Sequence, residues 1–306
     1  MSSQTSSIVQ SLPSGVTAHA FSASPAHVRE AVFRTWSDAG DDVACIVVPA
    51  GWHQPEAVRL HVPQDGATRI AVVIGNDARV VVLEEMLGRA THAALCIADA
   101  HAHVDYVTLQ SGNGPCRVTQ FGSVGNEALL SWRAMLFGSD VELSLQSRVH
   151  GERGTSSVDW AFYGRTTDRQ RLDCRNMFAG RDGAGEVLMK GVAEEKAHAS
   201  CRGMIDIELG GNGTNTYLTQ NVLMLDPTAK IDAIPGLEIK TNDVKASHSA
   251  TVARVTPEDL FTFAARGIDA REARSMFIRG FLGEIAQRLP AGRAQAEAMI
   301  TEKESR

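Results

Sequence analysis

The chain reads as a mainly β fold closed by helices, on three grounds. Short apolar or alternating runs recur between turn clusters of Gly, Asp and Asn over about two hundred residues. No amphipathic helix separates them, which argues against a doubly wound sheet. Helix-start signals stand only near the two ends. The combination suits a sandwich or a β-helix, and the 27 glycines fit the many corners of either.

In chain order, Met1–Ser7 is rich in Ser, Thr and Gln, too polar to bury much, and is expected to be disordered within a polar N-terminal segment, 1–24. Ser24 as N-cap and Pro25 in the first turn open a helix over 25–41, with Val28, Ala31, Val32 and Thr35/Trp36 at helical spacing and Gly40 as its stop. It is expected to cover one end of the β core. That core spans 42–255, with a weak internal repeat in which a turn and a small residue precede each β run. The repeat shows at Asp65-Gly66-Ala67, Asn76-Asp77-Ala78, Asp99-Ala100 and Gly138-Ser139-Asp140. A continuous apolar interior is expected.

A helical subdomain, 256–306, follows. Thr256 is a predicted N-cap, with Pro257 at the first position and Asp259 three residues on, and Asp269 with Glu272 has capping-box spacing. Leu260, Phe261 and Phe263, then Ala273, Met276, Phe277, Gly280 and Phe281, form apolar stripes. Most of this surface is expected to be core, holding the helices to each other and to the end of the β structure. Ala291–Arg306, rich in Ala and Glu, reads as a frayed helix.

With 306 residues and 43% apolar content the chain suits one elongated domain. A formal charge of −6 and a pI near 5.9 provide no basic field for phosphate backbones, so nucleic acid is not an expected partner. The five cysteines are odd in number, irregularly spaced and without a CxxC pair, which points to a reducing cytoplasm. No apolar run approaches the roughly 20 residues of a membrane span, and no basic residue precedes Arg29 as a signal peptide requires. A soluble, cytoplasmic protein is expected, with no membrane contact.

Enzyme motifs are missing. Gly183, Gly185 and Gly191 surround a β run without any GxxxxGK[ST], and there is no GxSxG elbow. His101 and His103, two apart on a predicted strand, share a face, but no third ligand lies nearby in sequence. His198 and Cys201 read as a solvated imidazole beside a buried thiol, and Cys174 as a core residue.

The last third carries a resemblance. TYLTQNVLMLD, PGLEIKTNDVKASHSATV and LFTFAARGIDAREARSMFIRGF, in that order, resemble the SufB/SufD family of SUF iron–sulfur cluster assembly scaffolds, nearer to SufD. DDVACIVVPAGWHQPEAVRLHV and GNDARVVVLEEM extend it more weakly upstream. The resemblance implies a right-handed parallel β-helix ended by a helical subdomain. It also implies a noncatalytic scaffold subunit that pairs with a SufB-type subunit, or with itself, through strands of 215–255. A SufC-type ATPase would dock on the C-terminal helices, with Phe261, Arg266, Gly267, Phe277, Arg279 and Phe281 as candidate contacts.

His248 is the candidate cluster ligand, since an imidazole can ligate iron and makes a cluster easier to pass on than four thiolates do. The family commonly has cysteine at the positions of Ala246 (SufD-type) and Asn221 (SufB-type), and glutamate at Ser249 in SufB-type members. The departures imply that the chain alone holds no cofactor and shares at most a transient iron–sulfur cluster at an interface, with Cys201 as a weak second ligand. The alternative is a diverged stand-alone β-helix interaction or binding protein without cluster work.

Overall fold

The computed structural model describes residues 8–305, and the expectation of disorder for Met1–Ser7 lies outside the described residues. The chain runs β1 (Val9–Ser11), β2 (Thr17–Ala20), α1 (Ala26–Thr35), β3 (Val43–Val48), β4 (Val58–Val62), β5 (Ala67–Ile74), β6 (Arg79–Leu87), β7 (Ala90–Ala98), β8 (His103–Ser111) and β9 (Pro115–Val124). It continues β10 (Leu129–Leu136), β11 (Asp140–Val149), β12 (Thr155–Gly164), β13 (Arg169–Phe178), β14 (Ala184–Ala193), β15 (His198–Ile207), β16 (Asn215–Met224), β17 (Lys230–Ile239) and β18 (Lys245–Arg254). Helices α2 (Pro257–Ala264), α3 (Ala270–Gln287) and α4 (Arg293–Ser305) complete it.

Successive strands from β3 onward alternate between two sheets. Even-numbered strands from β4 to β18 form one, odd-numbered strands from β3 to β17 the other, and each neighbouring pair among them is parallel. The result is a β-solenoid of about eight turns. The sandwich that the strand pattern left open is excluded, because antiparallel pairing is confined to β1 on β4 and β2 on β3.

The corners explain the Gly/Asp/Asn clusters. Gly51, Asp77, His101, Glu127, Arg153, Asp182 and Gly213 all have positive φ and stack as one corner column. Each donates its amide to a carbonyl of the next coil, as in Asp77 N to Ala100 O (3.0 Å) and His101 N to Asn126 O (2.8 Å). A left-handed residue bends the chain sharply, and the interstrand bond recovers part of its steric cost. His101 is therefore a corner residue, so it does not share a strand face with His103.

Inward side chains alternate with outward ones along every full strand, and the inward set forms one continuous core. That core departs from the apolar interior expected. Glu84, His92, Tyr106, Thr108 and Gln120 are buried inside it and bonded together, with Glu84 Oε1 accepting from His92 Nε2 and from Tyr106 Oη, both at 2.8 Å. Thr68 Oγ1 meets His92 Nδ1 at 2.7 Å, and Gln120 Nε2 donates to Thr108 Oγ1 at 2.9 Å. Gly191 has a packing role, since a Cβ there would collide with the Phe162 ring on the adjacent strand.

The helices lie along the flanks of the solenoid, not over its ends as expected. Val28, Val32 and Trp36 of the α1 segment pack on Cys45, Val73, Leu95 and Ile97, outward residues of the odd-strand sheet. α1 begins at Ala26 with Pro25 as its N-cap and no side-chain cap bond, because Ser24 donates to Ala20 O instead, and it stops at Thr35, short of Gly40. Ile278, Leu282 and Ile285 of α3 and Ala296 and Ile300 of α4 cover Val107, Met135, Tyr163 and Val192 on the even-strand sheet. The segment read as frayed is thus a docked helix. Its Lys303 is buried, bonding Asp168 Oδ2 (2.5 Å) and Phe137 O (2.8 Å).

The segment read as polar, 1–24, contributes β1, β2 and the buried Ile8 and Val16, which join the core where the first coil would otherwise be bare. At the opposite end β17 and β18 terminate their sheets.

Candidate functional site at the open end

β17 and β18 are edge strands, and one side of each backbone has no neighbouring strand among the described residues. Exposed edges of this kind template the addition of another strand. Their side chains are mostly exposed or half-buried, in contrast to the sealed coils beneath. Ile239 and Val252, of inward parity, and Ile234, on the outer face of its sheet, expose 42%, 48% and 44% of their surface, large apolar groups the described residues leave uncovered.

His248 lies within this end. The inward column Val82, Tyr106, Trp132, Val158, Val187, Leu218 is buried throughout, and His248 is its next and last member. With no further coil to cover it, the imidazole is exposed and has no hydrogen-bond partner among the described residues. Ala246 shares its inward parity, in register with Thr216. Asn221 and Ser249 have the opposite parity and face outward on the even-strand sheet. The register neighbour of Asn221 is Lys190, which pairs with Glu284 of α3 at 2.6 Å. The family positions singled out in the sequence thus divide between two faces.

The cysteines are all buried. Cys201 points into the core one coil below the end, beneath its register partner Ala233, and burial pushes its thiol up to about 12. Burial does the same to Cys116, to about 12, and raises Cys45, Cys96 and Cys174. A neutral, enclosed thiol is a poor iron ligand and a poor nucleophile. Among the described residues no three of His, Cys, Asp and Glu converge as a metal site.

The thiols make a pH prediction. Unfolded cysteines lose their protons near 8.5–9, whereas the folded ones keep theirs, so the folded state binds more protons above that point. Stability is expected to be unaffected by these groups below about pH 9 and to fall as the pH rises beyond it, by up to about 1.4 kcal/mol per pH unit for each thiol that stays protonated in the folded chain. Denaturant titrations at pH 8 and pH 10 measure it. A thiol reagent at pH 8 should label the native chain slowly and the unfolded chain at all five positions; rapid labelling of native Cys201 would restore it as a ligand candidate.

The helical candidates separate into two groups. Thr256 and Asp269 are the N-caps of α2 and α3, as the spacing predicts, but the capping box closes at Thr256 with Asp259, while Asp269 accepts from the Glu272 amide alone. No residue of α2 is buried, so this helix is not the core element expected, and Phe261 is 73% exposed. Arg266 is exposed, its guanidinium bonded only to Thr262 O (2.7 Å), and Gly267, at φ 82, makes the α2–α3 turn. Phe277 is half-buried, edge-on to Phe263 at 5.3 Å. Arg279 is committed to Glu304 of α4 (3.0 Å), and the Phe281 ring lies under Lys190 Nζ at 4.3 Å. Phe261, Arg266 and Gly267 face solvent, whereas Arg279 and Phe281 help hold α3 in place. Of the predicted α3 stripe, Ala273 is buried and Phe277 and Phe281 pack half-buried on the core, whereas Met276 is exposed; Ile278, Leu282 and Ile285, which the stripe leaves out, complete the buried face.

The structure is thus a parallel solenoid with one covered end, one bare end and one helix, α2, without a buried residue. The chain belongs to the SufBD core family: its model, "SUF system FeS cluster assembly, SufBD core domain", matches residues 61–281. Similar proteins include an iron-sulfur cluster assembly SufBD family protein of Mycobacterium leprae, 28% identical over 197 residues, 63% of this chain and 23% of that protein. Another is the iron-sulfur cluster assembly protein SufD of Bacillus subtilis, 29% identical over 167 residues, 54% of this chain and 38% of that protein. A SufBD family protein of Mycobacterium bovis is 30% identical over 177 residues, 54% and 44% respectively. The matches thus span less than half the length of these curated relatives. No helix among the described residues is long and apolar enough to cross a membrane.

Proposed function

We propose that the chain is a SufD-like, noncatalytic scaffold subunit of iron–sulfur cluster assembly, working in the cytoplasm beside a SufB-type subunit and a SufC-type ATPase. The bare β17–β18 end carries this reading: two free strand edges and an uncovered apolar surface call for a partner with the same architecture. Phe261, Arg266 and Gly267, with half-buried Phe277, make the ATPase platform. The cluster is cargo. This chain offers it one exposed imidazole, His248, and the partner supplies the thiolates that Ala246 and Asn221 do not.

Anaerobic reconstitution tests the assignment. The isolated chain is expected to develop little cluster absorption, and the complex with a SufB-type partner to develop a cluster that His248→Ala weakens. A stoichiometric cluster on the isolated chain that survives His248→Ala and disappears in Cys201→Ser would overturn it. The second reading, a homodimeric interaction protein that has left cluster work, is favoured by the amide at Asn221 and the methyl at Ala246. Co-purification from the native host, with and without ATP, separates the two by the chains recovered.

A further inference from the structure

A second surface, on the outer face of the odd-strand sheet, has a different chemistry. Arg169, His198 and Lys230 head β13, β15 and β17 and stand in register, one above the next. Adjacent strands are about 4.8 Å apart, so Arg169 and Lys230 lie within roughly 10 Å of each other. The corner residues Thr167, Lys196 and Thr228 line the same cleft, whose volume is about 470 Å³. Arg169, Lys196 and Lys230 are exposed and form no ion pair among the described residues. Two carboxylates stand beside this ladder among the described residues: Asp232, bound to His198 Nε2 at 2.9 Å, and Asp140, the register neighbour of Arg169 on β11, which is paired with Arg117 at 3.0 Å.

Like charges on neighbouring strands repel, and most arginines of this acidic chain are paired elsewhere. Three unpaired cations in one concavity are therefore an arrangement the fold maintains at a cost, which an anion would relieve. The concavity has the size of a small-molecule site, whereas an acidic peptide needs a longer groove. Arg169 and His198 also line an adjoining cleft of about 370 Å³ with Arg171 and Ser200, where the carboxylates Asp140 and Glu142 are paired with Arg117, so the uncharged part of a ligand has room to extend along the sheet.

We propose that this cleft binds a phosphorylated small molecule, its phosphate groups held by Arg169, Lys196 and Lys230 and by the hydroxyl of Thr167, with the remainder lying toward Arg171 and Ser200.

The test is calorimetric titration of the full chain with inorganic pyrophosphate. Saturable one-site binding is expected, weakened about tenfold by Lys196→Gln or by Lys230→Gln, as befits loss of one charge-assisted contact. Arg181→Gln, which removes an exposed cation elsewhere, should leave it unchanged. Sodium chloride at matched ionic strength should not abolish it, and the variants should melt no lower than wild type without ligand, since each relieves repulsion. Absence of saturable binding, or unchanged affinity in the Lys196→Gln/Lys230→Gln double variant, overturns the proposal. So does binding of a Glu-rich peptide where pyrophosphate fails, which would make the cleft a protein contact.

Discussion

Val252→Glu in β18 is expected to abolish association with a SufB-type partner while leaving the fold intact. Val252 has inward parity, in register with buried Val222, yet it is half exposed because no coil follows it. A partner strand laid on this edge would bury it. A glutamate there either stays hydrated and holds the partner off or is buried without a counter-charge, at a cost of about 3–5 kcal/mol. Affinity should fall by more than about 100-fold. Sedimentation or light scattering of the mixed chains measures it, with Phe33→Glu, an exposed aromatic on α1, as the control. Undiminished pairing in Val252→Glu would place the interface elsewhere, and loss of a self-dimer in the same variant would favour the homodimeric reading.

The second large effect lies inside the solenoid. His92→Leu should lower folding stability by about 3–5 kcal/mol, because it removes a buried hydrogen-bond donor to Glu84 and leaves the carboxyl enclosed with fewer partners. Both side chains are fully enclosed, so water cannot replace what is lost. The double variant Glu84→Leu/His92→Leu should recover part of that loss, since it removes the enclosed carboxyl but leaves the Tyr106 and Thr68 hydroxyls without these partners. Urea unfolding of the four chains gives the coupling directly. Equal losses in His92→Leu and in the double variant would mean that packing, not the hydrogen-bond network, dominates this part of the lumen.

Much of the fold was legible locally. The Asn76-Asp77 and Asp65-Gly66 corners and the N-caps at Thr256 and Asp269 depend on residues within a few positions of one another, and the structure places them as read, except that the reciprocal capping box forms at Thr256 and not at Asp269. The choice between sandwich and β-helix was not local. Both fold types alternate inward and outward side chains, and they differ in which distant strand lies beside each one. Motifs shared with known assembly scaffolds, not periodicity, pointed to the parallel stack. The buried Glu84 had a faint signal, a charge at the inward parity of Val80, Val82 and Met86, but only the stacked coils bring His92 and Tyr106 to it.

Local sequence could specify strands, corners and helix caps, because their physics is set by dihedral preference and by neighbours in the chain. It also specified His248 as a residue between small serines near the end of the β region. Long-range packing decided the rest. It laid α1 and α3 along the two flanks, because their apolar stripes match outward-facing patches of Val, Leu and Ile contributed by several coils. It docked α4 through the contact of Lys303 with Asp168, and it buried Cys201 beneath Ala233. It also left His248 uncovered, since inward and outward parity become burial only where another coil follows.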